Sequence, residues 1–175
     1  MIHRRKYISA CSTIPVYLAG CLDILSDPEA TSRSGIAARD EIFVGKDIEW
    51  KEDAFAADIF DNTDEFSSHI NEDSLVRPLN DRYTDFNADD TFVSVFASRL
   101  KLHSIGTTKG WCPEVEIEGD TLLFKVPLDT WPDELNERYE NMVVIDRWTR
   151  NRSDPPKHTK IDILQEESND VGRTC

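Results

Sequence analysis

Few side chains in this 175-residue sequence combine the type and the spacing that chemistry requires. Four cysteines occur, at positions 11, 21, 112 and 175. A thiol reacts as the thiolate, which positive neighbours favour, yet Cys112 of Gly110-Trp111-Cys112-Pro113 is followed by Glu114 and Glu116. Histidines stand at positions 3, 69, 103 and 158, with no pair at the His-x-His or His-Glu-x-x-His spacing that starts most zinc sites, so no metal is expected. The run Asp85-Phe86-Asn87-Ala88-Asp89-Asp90 has calcium-ligand types but lacks the glycine and terminal glutamate of a calcium-binding loop, and reads as a solvated surface. Ser94, Ser98 and Ser104 sit in no Gly-x-Ser-x-Gly elbow, and no glycine-rich phosphate loop is present, so no catalytic residue and no cofactor are assigned.

Cys21 differs because of what precedes it. Residues 1–8 carry Arg4, Arg5 and Lys6, no acid occurs before residue 23, and residues 7–20 are uncharged and end in small side chains. That layout, basic then apolar then small, is the layout of an export signal, too short to span a bilayer. His3-Arg4-Arg5-Lys6-Tyr7-Ile8 resembles the twin-arginine export motif, with Tyr7 where phenylalanine is commoner and His3 where serine or threonine is. Leu18-Ala19-Gly20-Cys21 resembles a lipobox, whose cysteine thiol accepts the lipid while Ala19 and Gly20 let the processing enzyme reach the backbone. The resemblance implies a mature chain that starts at a lipidated Cys21 and sits on the extracellular face of the cell membrane, its partner there being the membrane itself. Cys11 leaves with the signal, so Cys112 and Cys175 are left as candidate disulfide partners. Asn151-Arg152-Ser153 is a glycosylation sequon usable only on an exported domain.

The charge agrees with that destination. There are 34 acidic against 20 basic residues, a net of −14; loss of residues 1–20, with three cations and no acid, takes it to −17. A surface this acidic repels nucleic acid, which is excluded as a partner. Dense carboxylates hold water and keep a chain soluble where salt has shortened the Debye length to about 3 Å, and this composition resembles that of haloarchaeal proteins.

The elements that would position any site follow from local pattern. Residues 21–47 mix Asp27-Pro28-Glu29, Ser32-Arg33-Ser34-Gly35 and Asp40-Glu41 with few clustered apolar residues, which predicts a flexible, lipid-anchored tether. The domain is placed at residues 48–164, with 165–175 as a frayed tail. Within it, residues 54–60 predict a strand, and 63–71 a short helix capped near Asn62 with Phe66 and Ile70 inward. Residues 80–87 predict a polar loop, 91–98 a strand covered on both faces, and 115–126 a hairpin about Gly119-Asp120. A second short helix is expected over 130–140, behind Thr130 and Trp131-Pro132, and further strands at 142–148 and 159–163. The tally predicts an α+β, mainly β domain: an antiparallel sheet packed as a small sandwich or partial barrel with two short helices. From 54 to 126 the order of strand, short helix, loop with Thr84-Asp85-Phe86, strong strand and Gly-Asp hairpin is similar to the PrcB-like β domains of exported proteins, which implies binding of a protein partner without chemistry.

Two classes of function are compatible with these residues. One is a surface-anchored, non-enzymatic module that binds a protein or an envelope component, with Trp111 and Trp131 as candidate contact residues. The other is an exported hydrolase or metal-dependent enzyme with dispersed site residues, which a convergent pairing of His103 with an acid would favour.

Overall fold

The computed structural model describes residues 28–45, 47–86, 89–100, 113–127, 141–151 and 154–164. Its framework is a four-stranded antiparallel sheet in the order β1 (Glu29–Ala38), β6 (Asn141–Thr149), β3 (Thr91–Ser98) and β2 (Phe55–Phe60). β3 is rich in β-branched and aromatic residues, suits a central position, and is buried along its whole length. Its alternation splits the core. Val93, Val95 and Ala97 pack with Val143 and Ile145 of β6 on one face. Phe92 and Phe96 pack with Val144 and Trp148 on the other.

The second face meets a three-stranded sheet in the order β4 (Glu114–Glu118), β5 (Thr121–Pro127) and β7 (His158–Leu164). Leu122, Phe124 and Val126 of β5 complete that core, and the Phe96 and Phe124 rings stack at 5.5 Å. The first face is covered by α1 (Thr63–His69) and α2 (Asp81–Thr84). Asn62 caps α1 by accepting from the Glu65 amide at 2.8 Å, and Phe66 wedges edge-on between Phe60 and Phe86. The described chain is thus three layers: short helices, the larger sheet, the smaller sheet. The sheets do not close into a barrel, although β7 runs beside β2, where the Thr159 hydroxyl donates to the Ala57 carbonyl. Among the described residues no helix is long and apolar enough to cross a membrane.

Three expectations need correction. Within the span 21–47 assigned to a tether, the described part holds a ten-residue strand from Glu29, followed by buried Ile42 and Phe43; residues 21–27 lie outside the described residues. β1 tolerates Ser32, Arg33 and Ser34 because it is an edge strand whose first three residues are exposed, so it needs few apolar side chains. The sheets are also not all antiparallel: β5 and β7 pair in parallel, because the chain crosses to the larger sheet for β6 before it returns. The loop expected at 80–87 contains α2, capped by the Asn80 side chain and pinned by buried Tyr83 and Phe86. The helix expected at 130–140 and the tail 165–175 lie outside the described residues.

Candidate functional site: an arginine-rimmed groove beside β1

A groove of about 540 Å³ runs between β1 and the segment that leads into α2. Residues 33–36 form one wall; residues 77–80 with Arg82 and Tyr83 form the other. Local sequence accounts for the second wall. Arg77 precedes Pro78, whose ring forces an extended backbone before it, and Asn80 then accepts from the Arg82 amide at 3.1 Å to start α2. The Arg147 guanidinium on β6 donates to the Arg82 carbonyl at 2.7 Å and ties that helix to the sheet.

Register decides which side chains face the groove. Ser34 and Ile36 lie opposite Ile145 and Val143, on the helix side of the sheet. Arg33 lies opposite Asp146 and faces the smaller sheet. There its Nε and Nη2 donate to the two Asp146 carboxylate oxygens at 2.6 and 2.8 Å, and its Nη1 to the Pro113 carbonyl at 3.1 Å. Asp146 is 1% exposed, and burial pushes its carboxyl above the usual carboxylate range, with the Arg33 guanidinium opposing that shift. Arg33 therefore lends its backbone to the groove, while its charge is spent holding the layers together.

The free cations of the groove are Arg77 and Arg82, both exposed. Arg77 Nη2 donates to the Gly35 carbonyl at 3.0 Å, and Arg82 lies 5.0 Å from the Tyr83 ring centroid. Neither has a carboxylate partner among the described residues. Tyr83 is 1% exposed, and its hydroxyl has no hydrogen-bond partner there. A buried hydroxyl without a partner costs about 1–3 kcal/mol. Such a site suits recognition of an anion: guanidinium groups bind oxyanions in a fixed fork and stay protonated throughout the physiological range.

Most residues singled out from the sequence fall elsewhere. Arg4, Arg5, Leu18, Ala19, Gly20, Cys21, His103, Trp111, Cys112, Trp131 and Cys175 lie outside the described residues. Asn151 is described, half-buried in the turn after β6 with φ of 48°, in the left-handed region that asparagine tolerates better than most residues. His69 is held on α1, its Nδ1 2.9 Å from the Glu65 carbonyl oxygen, whereas His158 is exposed near Asp120 at the start of β7. Among the described residues no three His, Cys, Asp or Glu side chains gather where a metal ion would fit. Reasoning from sequence missed Arg77, Arg82 and Tyr83. The available signal was a seven-residue stretch, 74–80, with an arginine and no acid in so acidic a chain.

No protein-family model, curated protein or solved structure matches this chain.

Proposed function

We propose that the protein is a twin-arginine-exported lipoprotein on the extracellular face of the cell membrane, anchored through Cys21, and that its domain is a non-enzymatic module binding a protein or envelope component. The observation that carries the binding reading is the groove itself, a concave surface with two arginines that have no carboxylate partner among the described residues, in a chain of net charge −14. Its polar groups include two guanidinium forks, Arg77 and Arg82, whose geometry suits recognition of an oxyanion. The likeness of residues 54–126 to PrcB-like β domains points the same way. The anchoring half rests on the order of Arg4-Arg5 and Leu18-Ala19-Gly20-Cys21.

Both halves are testable in the native host. Cys21→Ser is expected to leave the chain unprocessed and to change its partition between membrane and soluble fractions; a variant processed and membrane-bound like the parent rejects lipidation. For binding, a photoreactive amino acid at position 80, on the groove, is compared with one at position 118, on the smaller sheet. A discrete cross-linked species from position 80 alone is the expected outcome. Identical patterns from both positions reject the groove as the contact surface.

A further inference from the structure

Among the described residues β1 keeps one edge open beyond its bridge to Leu75, and that edge identifies the kind of partner. Building on the binding-module reading, we propose that the groove receives an extended peptide bearing carboxylates at alternate positions, which lies along the open edge of β1 and sets those carboxylates on Arg77 and Arg82.

Backbone direction decides which groups are open. Among the described residues β6 is the one strand that forms a ladder with β1, and alternate residues of an edge strand turn their backbone groups away from the partner. In β1 these are the odd-numbered ones: the Ala37 carbonyl accepts from the Val76 amide, and the Gly35 carbonyl accepts from Arg77. The residues around Leu75 thus cover the end of β1, forming a bridge at Ala38, until Pro78 leads the chain away. Beyond that point the same parity turns outward the Gly35 amide and both backbone groups of Arg33, and these line the groove. A β-bulge between Ala30 and Ser32 ends the regular edge on the other side.

An edge of this kind offers donors and acceptors in alternation, which a peptide backbone matches and a phosphate does not, because the outward carbonyl of Arg33 repels an anion placed against it. Side chains of an added strand alternate between faces. Every second one would fall on the face of Ser34 and Ile36, where Arg77, Arg82 and Tyr83 stand. Carboxylates there complement two guanidinium groups that have no carboxylate partner among the described residues, and the apolar walls of Ile36 and Leu79 accept the aliphatic stems.

The test is an amide-resolved NMR titration of the full chain with a blocked Glu-Val-Glu-Val-Glu peptide. It is run beside the same peptide N-methylated at alternate amides, and beside inorganic phosphate. Expected shifts centre on Arg33, Gly35, Arg77 and Arg82, and N-methylation weakens binding. Arg82→Gln, at an exposed side chain whose loss spares the fold, is expected to weaken the peptide about three- to tenfold. Arg77→Gln should do the same, with its melting midpoint checked because it also covers the Gly35 carbonyl. Equal binding of the N-methylated peptide, or phosphate producing the same footprint at similar concentration, overturns strand addition. No binding, or shifts confined to another surface, overturns the proposal altogether. Neither result alters the fractionation of Cys21→Ser or the cross-linking from position 80, so the broader reading stands or falls separately.

Discussion

Asp146 shows how one buried carboxylate couples this fold to pH. Burial raises its pKa and the Arg33 guanidinium only partly opposes the rise, so the folded chain holds that proton more tightly than the unfolded chain. The stability it contributes is complete below the unfolded value of about 3.9 and is lost as pH rises through the raised folded value. Glu72, raised by burial and by neighbouring Asp73, acts with the same sign. Urea midpoints between pH 4 and 7 should therefore fall less steeply in Asp146→Asn than in the parent; equal slopes would remove the linkage. Arg33→Ala strands the carboxyl and should cost about 3 kcal/mol at pH 7. At pH 4 the cost should be smaller, because the stranded group can take up a proton. An equal cost at both pH values would mean that the pair is not the source. None of this was legible in the sequence. Arg33 and Asp146 lie 113 residues apart, and only the β1–β6 register makes them neighbours.

At the scale of elements, hydrophobic and β-branched runs were legible and sparse ones were not. β3 and the β4–β5 hairpin announce themselves through Phe92, Val93, Val95 and Phe96 and through Thr121-Leu122-Leu123-Phe124 about a glycine turn. The helix at Phe66 is equally plain from its Asn62 cap and the spacing to Ile70. β1 escaped because an edge strand half open to solvent needs few apolar residues: Ile36 and Ala38 suffice for its inner face. The candidate site escaped with it, since one wall is β1 and the other is a proline-led segment without an acid. The correction has a direct check. A chain beginning at Ile48 lacks β1 together with buried Ile42 and Phe43, leaving β6 with an open edge and Asp146 without its guanidinium. It is expected to lose cooperative thermal unfolding, whereas a chain beginning at residue 28 keeps it. A sharp transition in the shorter chain, with the midpoint of the longer one, would restore the reading of 21–47 as a tether.

The whole molecule is governed by its charge. With a net of −14, carboxylates repel one another in the compact state, and added salt screens that repulsion. Melting midpoints of the full chain should climb from low salt into the molar range, and a flat or falling series would count against a salt-adapted surface. The Arg33–Asp146 pair, whose carboxylate is buried, should contribute little to that trend. Order of synthesis adds a constraint of another kind. Among the described residues the first strand forms a ladder only with the sixth, and the ion-pair partner of its Arg33 follows 113 residues later. At about 5–20 residues per second, Arg33 is synthesised roughly 6 to 23 s before Asp146. During that interval the nascent chain has β2 and β3 but no strand to join either to β1, and the later contact must close a long loop. The larger sheet therefore cannot be completed before β6 has been made, because β6 alone joins β1 to β3 among the described residues.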